Sequence, residues 1–284
     1  MRNLLLGLIL LSNMGLCKTV LADDPGEVLA RSVAAYTSLT PIERSGNLEL
    51  DMAEQVQRML VLTLRPQWGE IVGYKAALTS EAARKRFGID QPVTGVMLEN
   101  MFTSTGSTIQ AATGVNLLLE ADLLVRVANE AINDATSEQE ILAALSQVVP
   151  FLEIPDTMFA AGVSINAADV IAINAGSRIG VMGAPVEISS LTNPREALGA
   201  IRFTLHGNKQ LIAEGSSKAL MGHPLAAALW LKNDLNRQDI KLKAGDLLSL
   251  GGMHRPVPAK GQGLVELNYF GLGEQPASIR IRVQ

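Results

Sequence analysis

The sequence predicts a single α+β domain that follows a short apolar leader. Helix-start signals occur near the N-terminus, and short apolar runs typical of strands dominate the C-terminal part. No internal repeat, low-complexity tract or interdomain linker separates the two parts. With 284 residues, 48% of them hydrophobic, the chain can bury a large core. We place the domain at residues 23–284, with an N-terminal helical layer at 23–69 and a β-rich core that carries the candidate metal site at 70–284.

Residues 1–22 are predicted to be a cleavable signal peptide. Arg2 precedes an apolar block at residues 4–16, and Ala22 ends a typical cleavage site just before two acidic residues. The block is shorter than the roughly 20 residues of a spanning helix. A lipid anchor would use Cys17, but the residue before it is too large for that signal. We therefore expect a periplasmic or secreted protein with no membrane span after cleavage, and without its only cysteine.

Composition excludes several function classes. The formal net charge is −4, aromatic residues make up 4% of the chain, and no Lys/Arg cluster could follow a phosphate backbone, so nucleic acid is not an expected partner. The nucleophile elbow Gly-x-Ser-x-Gly, the phosphate-binding loop and a complete dinucleotide-binding glycine pattern are all missing from the sequence. The three histidines, at positions 206, 223 and 254, are not paired at zinc-ligand spacing. We interpret His206 as a hairpin residue and His223 as support for a helix start.

Two amphipathic helices are predicted in the N-terminal layer. The first begins at Asp24-Pro25, where an acidic N-cap precedes a proline at the first helical position. The second begins at Asp51, has an apolar residue every three or four positions, and is expected to end before Pro66.

The β-rich core alternates short strands with helices. Ser80 and Gly88 bound a short helix, Ser137-x-x-Glu140 is a capping box, and Gly207-Asn208 is the predicted hairpin turn. Strands are expected near 70–77, 94–98, 117–125, 148–154, 178–182, 203–212, 247–250, 264–270 and 279–283, and further helices near 167–174 and 224–236, with a Gly/Pro-rich loop at 251–263.

Three carboxylates lie in two of these apolar strands. Glu120 and Asp122 are two residues apart, so their side chains emerge on the same face, and Glu153 lies in the middle of a later strand. Carboxylates are rarely buried unless they are paired or bind a metal. Their oxygens suit Mg²⁺ or Mn²⁺. The alternative is a carboxylate pair on a solvent-facing strand edge, although the aliphatic residues on both sides favour a buried strand.

Lys75 lies within the apolar part of the strand before Ser80. One interpretation is that its ammonium group reaches the surface along an apolar stem. The other is that it is a partner for an anionic ligand.

Several segments resemble, in the same order, the 2-oxopent-4-enoate hydratase and 4-oxalocrotonate decarboxylase family of the fumarylacetoacetate hydrolase superfamily. The similarity extends from about Leu29 to Ile281. The segments that carry it are Gly73-Tyr-Lys-Ala-Ala-Leu-Thr-Ser80, Gly95-Val-Met-Leu-Glu-Asn-Met101, Glu120-x-Asp122, Val149-Pro-Phe-Leu-Glu-Ile-Pro-Asp156, Asn174-Ala-Gly-Ser177, Gly222-His-Pro-Leu225, Leu242-Lys-Ala-Gly-Asp246 and Pro256-Val-Pro258.

The resemblance implies a fumarylacetoacetate-hydrolase-like rolled mixed β-sheet, a homo-oligomer, and a Mg²⁺- or Mn²⁺-dependent hydratase of a short unsaturated 2-oxo or 2-hydroxy acid. It implies that Glu120, Asp122 and Glu153 bind the metal. It also implies that Lys75 contacts the oxoacid and acts in catalysis, and that Ser177 contributes to substrate binding. The alternatives are a 4-oxalocrotonate-type decarboxylase and a non-catalytic exported protein that binds a metal and an oxoacid. Carbon–carbon hydrolysis would need a Glu–His pair, for which no histidine has an obvious position.

Some positions depart from the family pattern. Asp122 replaces the usual Glu, and Val93 replaces a common acidic residue. If that acid normally helps proton transfer, Val93 affects turnover more than metal binding. Glu99-Asn100 replaces a common Asp-Asp, and we predict that a residue such as Glu99, or a metal-bound water, moves a proton during catalysis.

Overall fold

The computed structural model describes residues 23–284, so the predicted signal peptide and Cys17 lie outside the described residues. The α+β prediction is confirmed. The helices are α1 (Pro25–Thr37), α2 (Leu50–Trp68), α3 (Glu81–Phe87), α4 (Glu138–Ala143), α5 (Ala167–Ala172), α6 (Pro194–Gly199) and α7 (Pro224–Arg237). No helix among the described residues combines the length and apolar character that crossing a membrane requires.

The strands form two sheets. They are β1 (Ile71–Ala77), β2 (Val93–Leu98), β3 (Phe102–Ser104), β4 (Thr108–Ile109), β5 (Leu118–Val127), β6 (Leu145–Ile154), β7 (Ile179–Met182), β8 (Val186–Glu187), β9 (Arg202–Gly207), β10 (Gln210–Ser216), β11 (Leu247–Ser249), β12 (Val257–Pro258), β13 (Leu264–Phe270) and β14 (Ala277–Val283). The larger, mixed sheet has the order β2-β1-β11-β5-β6-β7-β3, with β12 paired to β5 and β8 to β6. The smaller sheet has the order β10-β9-β13-β14-β4.

The two faces of β5 have different surroundings. Leu119, Ala121, Leu123 and Val125 are buried in the main core, together with apolar residues of β6, β9, β13, β14 and α7. Because successive strand residues point to opposite faces, residues 120 and 122 project from the other side of the sheet. The sheet therefore positions the β5 carboxylates with a full hydrophobic core behind them.

The N-terminal helices cover part of the carboxylate side of the domain. Tyr36 of α1 is buried, and its hydroxyl lies 2.7 Å from the carbonyl oxygen of Ser177 and 3.1 Å from that of Ile173. Gln57 of α2 donates to the carbonyl oxygen of Thr94 in β2 at 2.7 Å. These contacts tie the helical layer to the segment that follows α5 and to the edge strand of the larger sheet.

Pairing of β1 with β11 depends on Gly73. A Cβ atom added there would lie 2.1 Å from the carbonyl oxygen of Leu247, which is the register partner of Gly73 in the parallel pair. We expect Gly73→Ala to lower the free energy of unfolding by about 3 kcal/mol, because a backbone oxygen cannot move aside as a side chain can. Chemical denaturation measures this change. Gly273→Ala is the control, because a Cβ there meets nothing closer than 3.9 Å; equal losses in both variants would contradict the prediction.

Most predicted elements are confirmed, and three differ in detail. Helix α2 continues through Pro66 to Trp68, so the proline lies inside the last turn and only the two residues after it remain helical. The hairpin turn is at Asn208-Lys209, both with positive φ, whereas Gly207 is paired with Gln210. The loop expected at 251–263 contains the short strand β12, which pairs with β5.

Candidate metal centre

The register of β5 and β6 brings two of the predicted ligands together. Glu120 is directly opposite Glu153, and Asp122 is opposite Phe151, so all three carboxylates project from one face of the antiparallel pair. Asp122 is fully buried, Glu153 is 4% exposed, and Glu120 is part-exposed. The cluster is thus buried at Asp122 and Glu153 and reaches solvent at Glu120, which rules out a solvent-facing strand edge.

Lys75 is a buried partner of this cluster. Its side chain is almost fully buried, and its Nζ donates to Glu153 Oε1 and, at 3.1 Å, to the carbonyl oxygen of Ala175. Gly95, the register partner of Lys75 on β2, leaves room for the lysine, since an added Cβ would lie 2.8 Å from Lys75 Cγ. The structure therefore contradicts the surface-reaching interpretation of this lysine.

Strand β11 fixes the direction of Asp122. Ser249 Oγ donates to Asp122 Oδ2, while the backbone N–H groups of Leu250 (3.2 Å) and Leu123 (2.5 Å) donate to Oδ1. Three donors on one carboxylate hold it in a single orientation. Ser249 was not predicted as a site residue from the sequence, because only the insertion of β11 between β1 and β5 brings it to Asp122.

The loop after β11 contacts the other β5 carboxylate and was also missed. A Cβ atom added to Gly252 would lie 2.6 Å from Glu120 Oε2. Two residues later, His254 accepts a hydrogen bond from Ala121 N at 2.9 Å, between the two carboxylates. The signal in the sequence was the pair Gly251-Gly252 at the end of a strand, which is typical of a close backbone approach.

When all three are ionised, the carboxylates of the site carry more negative charge than Lys75 alone balances. Burial, followed by the charge of Glu153, raises the pKa of Glu120 to about 8. Burial and Glu153 likewise raise the pKa of Asp122 to about 7, against the stabilising hydrogen bond from Ser249. A bound cation would reduce the mutual repulsion of these buried carboxylates.

The donor set fits a hard divalent cation. It consists of carboxylate oxygens without His or Cys, which suits Mg²⁺ or Mn²⁺ better than zinc. Across residues 23–284, no three such side chains already surround one ion position. The hydrogen bonds explain this, because the carboxylate of Glu153 is turned to Lys75 and that of Asp122 is turned to Ser249.

The other predicted site residues are less close. Glu99 is exposed and follows the far end of β2, four residues beyond Gly95, or roughly 13 Å along the strand. The structure does not bring it to Lys75. Ser177 is 3% exposed, and its Oγ has no hydrogen-bond partner among the described residues; it lies two residues after the carbonyl group that accepts from Lys75. The hydroxyl group of Ser177 is therefore free, and it lies in the same segment as Ala175, which accepts a hydrogen bond from Lys75.

Val93 lies on the same face of β2 as Gly95 and is 7% exposed. It belongs to an apolar cluster with Ile171 and Ala175. It also lines a cleft of about 730 Å³ between α2, α7 and residues 88–94, and the three predicted metal ligands do not line this cleft. Val93, which replaces the acidic residue common in the family, therefore lies among apolar side chains.

The chain is similar over most of its length to known hydratases. No family model matches it. It is 26% identical over 269 residues to 2-keto-4-pentenoate hydratase 1 of Dechloromonas aromatica (strain RCB), covering 94% of this chain and 99% of the relative. It is 29% identical over 217 residues to a 2-keto-4-pentenoate hydratase of Burkholderia vietnamiensis, covering 76% of this chain and 80% of the relative.

Solved structures share the fold. The 4-oxalocrotonate decarboxylase from Pseudomonas putida G7, complexed with magnesium and adipate, superposes with a TM-score of 0.80 at 22% identity, covering 92% of this chain and 98% of the other. Fumarylpyruvate hydrolase from Pseudomonas aeruginosa, in complex with Mn²⁺ and pyruvate, gives 0.54 at 14% identity, covering 74% and 88%. The predicted fumarylacetoacetate-hydrolase-like fold is confirmed.

Proposed function

We propose that this protein is a divalent-metal-dependent hydratase, a carbon–oxygen lyase acting on a short unsaturated 2-hydroxy or 2-oxo acid. The reaction adds water at C4 of a 2-oxopent-4-enoate-type acid and yields a 4-hydroxy-2-oxo acid. The observation that carries the proposal is the β5–β6 register, which sets Glu120 opposite Glu153 beside the buried Lys75. Similarity to hydratases over most of the chain supports the reaction class.

In this proposal Glu120, Asp122 and Glu153 bind Mg²⁺ or Mn²⁺. The bound ion would supply a Lewis acid for the carboxylate and the 2-oxygen of the substrate. Ser249 Oγ and the backbone N–H of Leu250 hold the Asp122 carboxylate in one orientation, as the hydrogen-bond partners of metal ligands typically do.

Lys75 has one donor left for the substrate. An ammonium group has three N–H donors, and Glu153 and the carbonyl group of Ala175 accept two of them. The third can donate to a substrate oxygen on which negative charge develops. The free Ser177 hydroxyl is a second candidate for contact with the oxoacid.

Glu99 is the residue predicted to transfer a proton. The role predicted for Glu99 stays a prediction, and its exposed position at the far end of β2 argues against it. Comparison of kcat in Glu99→Gln and the unmodified protein tests it; equal values would exclude this residue.

The assay that tests the function is consumption of 2-hydroxypenta-2,4-dienoate by the purified protein with Mg²⁺ or Mn²⁺. We expect turnover that stops on addition of a chelator and returns with the metal. Val93 favours the non-catalytic alternative, because an apolar residue there cannot carry a proton, and the predicted export favours it too. Metal-dependent binding of an oxoacid without turnover would support that alternative and contradict the hydratase proposal.

The stabilisation by metal is expected to depend on pH. The pKa values of Glu120 and Asp122 are raised on folding, so without metal these groups bind protons more tightly in the folded protein and lower its stability as pH rises toward about 8. Metal binding needs the deprotonated forms. We expect the increase in Tm at saturating Mg²⁺ to be larger at about pH 8.5 than at about pH 6. Scanning calorimetry measures it, and the opposite order would contradict the raised pKa values.

We also propose export and self-association. The pattern of residues 1–22 supports export, and we expect N-terminal sequencing of the mature protein to begin at Asp23. The family resemblance supports a homo-oligomer, which light scattering would detect. A protein that keeps Met1, or a monomer, would contradict the corresponding proposal.

A further inference from the structure

The backbone between the two β5 carboxylates is held by a side chain. On this edge β5 pairs with β11 at residues 124–126 and with β12 at residues 118–119, so neither strand pairs with Ala121. The carbonyl oxygen of Ala121 accepts from Met253 N at 2.9 Å, and its N–H donates to His254 Nε2 at 2.9 Å. An imidazole ring therefore satisfies a backbone donor that the strands leave open.

The other contacts of His254 fix the ring. Its Nδ1 lies 2.7 Å from the carbonyl oxygen of Arg255, so Nδ1 carries the proton and Nε2 is the acceptor. The ring packs on Phe203 with 5.4 Å between the ring centroids. Burial also lowers the pKa of His254, which favours this neutral form.

The loop that His254 anchors contacts both carboxylates. At its start, Ser249 Oγ and Leu250 N donate to Asp122. In its middle, Gly252 lies against Glu120 closely enough that an added Cβ would be 2.6 Å from Oε2. A shift of the loop or of the backbone at residue 121 would therefore change the direction of both side chains.

We infer that His254 is a positioning residue of the metal centre: its imidazole holds the β5 backbone between Glu120 and Asp122 and so sets the directions of both carboxylates. This inference rests on the proposed metal site. It extends that proposal to a residue that touches neither the ion nor the substrate.

The test is the dissociation constant of Mn²⁺, measured by calorimetry on the full chain. His254→Leu removes the acceptor and is expected to weaken Mn²⁺ binding by about tenfold, the usual lower range for a residue that orients ligands. His254→Gln places an amide oxygen near the position of Nε2 and is expected to restore the affinity. His254→Asn remains polar but is too short, so it should bind as weakly as the leucine variant and replaces it if the latter does not fold.

His223 provides a matched control. Its Nδ1 accepts from Leu225 N at 3.1 Å and its Nε2 lies 3.0 Å from the carbonyl oxygen of Arg195, so it has the same kind of contacts at the start of α7. His223→Leu is expected to lower the free energy of unfolding and to leave the Mn²⁺ affinity unchanged. A purely structural role for His254 would give the same pattern in His254→Leu.

The outcomes separate the two proposals. If the unmodified protein binds Mn²⁺ and His254→Leu binds it equally well, or if His254→Gln fails to restore a lost affinity, the inference is overturned alone. If the unmodified protein binds no Mn²⁺, the metal site and the inference are both overturned. If Mn²⁺ binds with the expected variant pattern but the dienoate is not consumed, the inference stands and the hydratase proposal is overturned.

Discussion

Glu120→Gln is expected to lower metal-dependent turnover by about 10³-fold or more, because a ligand to a catalytic cation contributes several kcal/mol to the transition state. The substitution keeps the volume of the side chain and removes its charge. Since repulsion and burial raise the pKa of Glu120, loss of the charge should not destabilise the metal-free protein at about pH 8.5. Steady-state kinetics and chemical denaturation measure the two effects.

Glu266→Gln is the control for this variant. Glu266 is also a strand glutamate, but it is paired with Arg280 near the surface of the smaller sheet. We expect its substitution to leave turnover and Mn²⁺ affinity unchanged. Turnover by Glu120→Gln at the rate of the control would exclude Glu120 as a ligand.

Lys75→Met is expected to reduce both stability and activity. It removes the cation that pairs with Glu153 among residues 23–284 and leaves a buried carboxylate alone, which typically costs about 3–5 kcal/mol of unfolding free energy. It also removes the donor proposed for the substrate, so kcat/KM should fall by about 10²–10³-fold. Denaturation of the metal-free protein and kinetics at saturating metal measure the two effects.

A second substitution separates the loss of stability from the loss of activity. Lys75→Met combined with Glu153→Gln removes both charges of this ion pair and is expected to recover most of the lost stability without recovering turnover. Lys232→Met is the matched control, because Lys232 is also buried but donates to the carbonyl oxygen of Ala135. It should leave Mn²⁺ affinity and turnover unchanged. Recovery of turnover in the double variant would exclude Lys75 as a substrate contact.

Local features were predictable where a few neighbouring residues decide them. Asp24, Ser80 and Ser137 cap the starts of α1, α3 and α4, because each side chain accepts from a backbone N–H two or three residues later. His223 caps α7, as expected. The failures at Pro66 and at the 207–209 turn are shifts of a few residues, which local patterns do not resolve.

The carboxylates of the candidate site were predictable from the sequence, whereas the residues that hydrogen-bond to them and to the backbone between them were not. Alternation along an apolar strand assigned Glu120 and Asp122 to one face, and the β5–β6 register then placed Glu153 opposite Glu120. The contacts of Asp122 with Ser249 and of Ala121 with His254 join residues that are 127 and 133 positions apart in the chain. The pattern of residues around Ser249 and His254 does not indicate which part of the chain each side chain will contact.

The sequence by itself determined which side chains are available and which face of a strand or helix they occupy, because these depend on residue types and spacing over a few positions. Only the tertiary structure decided that β11 lies between β1 and β5. That order buries Lys75 beside Glu153, turns Ser249 to Asp122, and leaves at Ala121 the unpaired backbone group that His254 binds. The physical reason is that strand order follows from how the whole core packs, which short segments of sequence do not encode.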